Sequence, residues 1–160
     1  MMDLSKLFDM QRELDERIEK HHPRQPDDRR IYSKLLALLV EIGELANETR
    51  CFKFWSNKGP SSKEKILEEG ADVLHFLLSI GNEIHVKPSI EIIPIKKISL
   101  DAQFLALYDQ ARLANIKEQW EWTFNLYVGL METLGFTWDE VEAAYMRKNA
   151  VNHHRQESGY

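Results

Sequence analysis

Ile31-Tyr32-Ser33-Lys34-Leu35-Leu36-Ala37-Leu38-Leu39-Val40-Glu41-Ile42-Gly43-Glu44-Leu45-Ala46-Asn47-Glu48-Thr49 is the strongest helical pattern in the chain, and it carries formal charge inside an apolar run. Glu41 has Leu38 and Leu45 as its i−3 and i+4 neighbours, which puts a carboxylate on the stripe that should face the core. Glu44 follows three residues later and points to the same side. Gly43 is the one weak point of the run. Burying unpaired carboxylates is costly enough to drive them to protonate, so this pattern demands a positive charge nearby.

Working outward, a second apolar helix is expected from about Lys63 to Ile84, with Ser61 or Ser62 as its cap. It repeats the spacing in Glu69-Gly70-Ala71-Asp72. Four converging oxygen donors suit Mg²⁺, which binds together with water and substrate phosphates. Glu41, Glu44, Glu69 and Asp72 therefore read as a Mg²⁺ site built between two helices. An acidic pair at i and i+3 is common on solvated helices, so the weight lies in finding two such pairs in the two most apolar helices.

The remaining segments extend the helical reading. Leu4 to Lys20 carries Leu4, Leu7, Phe8, Leu14 and Ile18 near a helical period, and His21 to Arg30, with Pro23 and Pro26, reads as a connector. Arg50 to Pro60 reads as a loop rich in aromatic and basic groups. Val86 to Ile98, with Pro88 and Pro94, suits a short extended stretch but not a central strand, and reads as a connection. Ser99 opens a helix to about Asn115, Lys117 to Leu134 forms another, and Thr137 caps a last helix to about Asn152. The expected fold is all-α, a bundle of five or six helices with essentially no sheet, in one domain over residues 1–160.

Bulk properties narrow the function. A formal charge of −5 offers no basic field for a nucleic-acid polymer, yet it is compatible with a small metal-complexed polyphosphate. Cys51 is the single cysteine, which excludes an intrachain disulfide and suits a reducing cytoplasm. No apolar run approaches a membrane span, and the N-terminus has no export pattern. Local pattern also sets bland readings beside the functional ones. Trp55 reads as an ordinary core aromatic, and His75 with Phe76, one turn beyond Asp72, as a satisfied core pair. Trp120, Trp122, Phe124, Tyr127 and Trp138 are many large apolar groups for one half of a chain, so some are expected to face a partner.

Glu41-x-x-Glu44, 24 residues, then Glu69-x-x-Asp72 resembles the signature of the all-α nucleoside triphosphate pyrophosphatases, the MazG-like superfamily. The run Leu7-Phe8-Asp9-Met10-Gln11 with Leu14-Asp15, the loop Cys51-Phe52-Lys53-Phe54-Trp55, and Asp72-Val73-Leu74-His75-Phe76 narrow it. So do Tyr145-Met146-Arg147-Lys148-Asn149, Asn152, Arg155-Gln156 and Gly159-Tyr160. With these the chain resembles the dimeric dUTPases over nearly its whole length. The resemblance implies Mg²⁺-dependent hydrolysis of dUTP to dUMP and pyrophosphate by a homodimer, with Glu41, Glu44, Glu69 and Asp72 on the metal. Glu41 would orient and deprotonate the attacking water. Gln11, Trp55, His75 and Phe76 would line the uracil pocket, while Lys53, Lys148, Asn149 and Arg155 would sit near the phosphates. Asp15 stands where several relatives have Asn, which changes the donors near the base or sugar. It keeps open a pyrophosphatase for another nucleotide such as dCTP, and use of dUDP is open too. A catalytically silent helical dimer that binds proteins is the alternative from another class.

Overall fold

The computed structural model describes residues 2–160. Six helices share one apolar core: α1 (Ser5–His21), α2 (Arg30–Thr49), α3 (Lys63–Glu83), α4 (Leu100–Ala111), α5 (Lys117–Thr133) and α6 (Trp138–Glu157). Helix α3 is the hub, packing against α1, α2, α5 and α6. Its burial explains why: Ile66, Ala71, Val73, Leu74, Leu77, Leu78 and Ile80 are all removed from water, on more than one face of the helix. A helix apolar around most of its circumference belongs in the middle of a bundle.

The caps follow the sequence closely. Ser62 accepts from the Lys65 amide at 3.2 Å, and Ser99 accepts from the Ala102 amide at 3.2 Å. Thr137 and Glu140 form a reciprocal capping box at the start of α6. Gly43 is where α4 crosses α2: a Cβ there would lie 2.8 Å from the Tyr108 hydroxyl, which donates to the Leu39 carbonyl at 3.0 Å.

One expectation needs correction. The last helix continues to Glu157 rather than ending near Asn152, because Arg17 on α1 bonds Glu157 at 2.8 Å and His21 meets Gln156 at 3.2 Å. Past Asn149 the helix buries nothing more, so the apolar period that signals a helix had faded. The connection after α3 holds no central strand, only a short extended piece, β2 (Ser89–Ile90), paired antiparallel with β1 (Met2–Asp3), Met2 opposite Ile90. Beyond it the segment is held down on α5 rather than paired in a sheet. Buried Gln103 donates to the carbonyls of Ile95 and Leu126, both at 2.8 Å, and accepts from the Lys97 amide. Gly129 admits this close approach, since a Cβ would sit 2.0 Å from the Ile95 oxygen.

The aromatic residues of the second half are mostly core. Trp120 stacks on Phe124 at 5.0 Å, and Trp120, Phe124 and Tyr127 are fully buried, whereas Trp122 is half exposed. Among the described residues no helix is long and apolar enough to cross a membrane.

Candidate active site

The seam between α2 and α3 brings Glu41, Glu69 and Asp72 together, with one carboxylate oxygen of each lying within 4.8 Å of the others. The reason is local. Glu41 sits among Leu38, Ile42 and Leu45, which are all fully buried against α3, so packing that face carries the carboxylate inward. Glu44 is exposed and outside the triad, although its charge still reaches Glu41. Residues at i and i+3 are about 60° apart around a helix, so the rotation of each helix decides whether both reach the seam: Glu69 and Asp72 do, whereas of Glu41 and Glu44 only Glu41 does.

The electrostatics are those of a site short of positive charge. Burial first, and then the charges of Asp72, Glu44 and Glu69, push the Glu41 carboxyl up to about 7. Its Oε2 is buried with no hydrogen-bond partner. Burial also raises Asp72, against the pull of Lys148, whose Nζ lies 2.8 Å from its Oδ2. Lys65 pairs with Glu69 at 2.6 Å from one turn earlier on α3. One orphaned oxygen and three mutually repelling carboxylates around one point fit a divalent cation, which would replace repulsion by coordination. Glu41, Glu69 and Asp72 are the residues placed to hold it.

Next to the triad lies a cavity of about 190 Å³ between α1, α3 and α6. Glu41 and Asp72 form one wall, Gln11 and Asp15 another, His75, Phe76 and Ser79 a third, and Asn152 with Arg155 the rim. Behind the wall runs a polar chain. Gln11 donates from Nε2 to Asp15 Oδ1 at 2.9 Å, Ser79 donates to Asp15 Oδ2 at 2.8 Å, and Tyr145 donates to Gln11 Oε1 at 3.0 Å. His75 Nδ1 lies 2.8 Å from the same Gln11 oxygen, and its ring lies 4.3 Å from that of Tyr145. His75 is thus half-satisfied: its Nε2 is buried without a partner.

A family model for dUTPases matches residues 3–160. The chain belongs to the dUTPase family. Its activity is accordingly that of a dUTP diphosphatase, and the all-α architecture agrees with that membership. No curated protein matches the chain.

Of the residues that sequence resemblance assigned to this dUTPase site, the structure gathers Gln11, Asp15, His75, Phe76 and Arg155 on the cavity beside Glu41 and Asp72. Lys148 touches Asp72 directly. Three others lie elsewhere. Asn149 is buried behind the wall, donating to the Tyr145 hydroxyl and the Met10 carbonyl, each at 3.4 Å. Lys53 sits 5.6 Å from the Phe52 ring, in the loop after α2. Trp55 is 66% exposed, edge-on to Phe54 at 5.1 Å, which also removes the reading of it as a core aromatic. Sequence reasoning missed Ser79, Tyr145 and Lys65. Each had a signal: Ser79 is one turn past His75, Tyr145 one turn before Asn149, and Lys65 one turn before Glu69.

Proposed function

We propose that this dUTP diphosphatase works with Mg²⁺ held by Glu41, Glu69 and Asp72, with Glu44 approaching from the rim, and that water attacks the α-phosphorus to release pyrophosphate. The supporting observation is the partnerless Oε2 of Glu41 beside two further carboxylates at the wall of a cavity. When bound, the metal would neutralise the triphosphate and make the attacking water more acidic. Glu41, already poised near neutrality by its surroundings, orients that water and takes its proton. Lys148 and Arg155, next to Asp72 and on the cavity rim, stabilise charge on the phosphates. The base enters between His75, Phe76 and Gln11.

The chain acts as a single domain and as a homodimer in the cytoplasm. Tyr32, Leu36 and Val40, at i, i+4 and i+8 on α2, are each more than half exposed and offer an apolar face for the second copy. Light scattering of the wild type and of Leu36→Asp tests this: a dimer that becomes a monomer supports it, and a wild-type monomer refutes it. If Trp55 and Lys53 contribute to base and phosphate binding, they do so from the exposed loop after α2.

The decisive experiment measures pyrophosphate release from dUTP, dCTP, dTTP and UTP at equal concentration, with and without Mg²⁺, for the wild type and Glu41→Gln. Metal-dependent turnover of dUTP well above the others, lost in the variant, is the expected result. Turnover that persists in Glu41→Gln or without metal would remove the triad from the mechanism.

A further inference from the structure

We propose that Asp15 is the positioning residue for base selection: by holding the Gln11 amide in one orientation it sets the tautomer of His75, and so leaves the His75 Nε2 lone pair as acceptor for a ring N–H of the base. This rests on the reading of the cavity as the base pocket.

The argument runs along the polar chain. Asp15 offers only acceptors when ionised, and both its oxygens are engaged, Oδ1 by Gln11 Nε2 at 2.9 Å and Oδ2 by the Ser79 hydroxyl at 2.8 Å. Burial raises this carboxyl above its ordinary value, while Lys34, 4.0 Å away, and the two hydrogen bonds oppose the rise. With its nitrogen turned to Asp15, Gln11 must turn its oxygen to Tyr145 and His75. A reversed amide would set oxygen against carboxylate.

An amide oxygen can only accept, so the His75 Nδ1 at 2.8 Å must carry the proton. Burial, reinforced by the charge of Lys148, lowers the imidazole pKa to about 3, so the ring is neutral and has one N–H. Nε2 is therefore a bare lone pair, and it is the ring nitrogen without a partner. Gln11 keeps one amide hydrogen beyond the one given to Asp15. An acceptor and a donor lining the same cavity complement the N–H and carbonyl of an imide such as uracil. Cytosine presents a lone pair where uracil has N3–H and an amino group where uracil has O4, so it mismatches the same pair.

Asp15 reaches the base only through Gln11 and His75, which makes the imidazole tautomer the direct readout. In Asp15→Asn the new amide can offer its own N–H to Gln11, turn that amide over, and force His75 to move its proton to Nε2. Nitrogen-15 NMR of the histidine rings in the metal-free full chain should show His75 protonated at Nδ1 in the wild type and at Nε2 in a substantial population of Asp15→Asn. The ratio of kcat/KM for dUTP over dCTP should fall by about tenfold or more in that variant. Ser79→Ala, which removes the other bond of Asp15 but leaves Gln11 held, should keep the wild-type tautomer.

A wild-type His75 protonated at Nε2 would overturn the proposal without recourse to any variant. So would an Asp15→Asn chain that keeps both tautomer and selectivity, or a Ser79→Ala chain that shifts the tautomer as Asp15→Asn does. Absence of dUTP turnover in the wild type would instead overturn the base-pocket reading, whichever tautomer His75 shows.

Discussion

Helix α3 has two faces that solve opposite problems. Toward α5 the large buried rings with polar groups are satisfied: the Trp120 indole donates to the Leu77 carbonyl at 2.7 Å and the Tyr127 hydroxyl to the Gly70 carbonyl at 2.8 Å, inside a stack of fully buried rings. Toward α2 and α1 the same helix presents Asp72, Glu69 and His75, with like charges converging and with Glu41 Oε2 and His75 Nε2 left without partners. The first face holds the bundle together. The second carries unfavourable electrostatics that only a ligand relieves, and it can do so because the first is over-determined.

The sharpest way to break this contrast is Glu41→Gln. On the site face it should lower kcat by about 10²–10⁴-fold, while the melting temperature of the metal-free protein stays level or rises, since a repelling charge is gone. A large loss of stability would mean that the acidic face is structural after all. The opposite pattern is expected of Trp120→Ala, whose buried ring packs on Phe8 and Phe124. Urea unfolding should show a loss of about 3–5 kcal/mol, with kcat per folded molecule little changed.

Tyr127→Phe is a finer probe of the same face. It removes one buried hydrogen bond and should cost about 1 kcal/mol, again without moving KM for dUTP. A pH dependence probes the site face without any substitution. Glu41 has an ordinary value of 4.5 and is held near 7 in the fold, so between these values the folded chain binds more protons than the unfolded one. Unfolding free energy must then fall as pH rises through that window, with the favourable contribution complete below 4.5 and lost by about 7. Thermal melts of metal-free protein from about pH 5 to 8 should show this slope, and both Glu41→Gln and saturating Mg²⁺ should flatten it. A slope of the same size in the variant would assign the effect to another group.

Much of this division was legible in the residues. Helix positions followed from apolar period and from caps at Ser62, Ser99 and Thr137, because both are local properties of the chain. The spacing of Glu41 with Glu44, and of Glu69 with Asp72, pointed to the sides of α2 and α3 where three of these four carboxylates come together. What was not legible is instructive. Glu44 shares a helix side with Glu41 but stays outside the seam, whereas Glu69 and Asp72 at the same spacing both enter it, so the rotation of each helix, not the spacing, decides. Trp55 lies in a loop whose path no periodicity constrains, and it ends up exposed. The strand pair of Met2–Asp3 with Ser89–Ile90 joins segments far apart in sequence, each too short to carry an alternation.

By itself, then, the sequence determined that this chain is a helical bundle of the dUTPase family and that two of its apolar helices carry paired carboxylates, since family signature, periodicity and capping are all written along one dimension. Only the tertiary structure decided that Glu41, Glu69 and Asp72 converge while Glu44 does not, and that Gln11 meets His75 across 64 residues of chain. Which side chains share a seam depends on how helices are rotated against one another. That rotation is set by the packing of the whole core around α3.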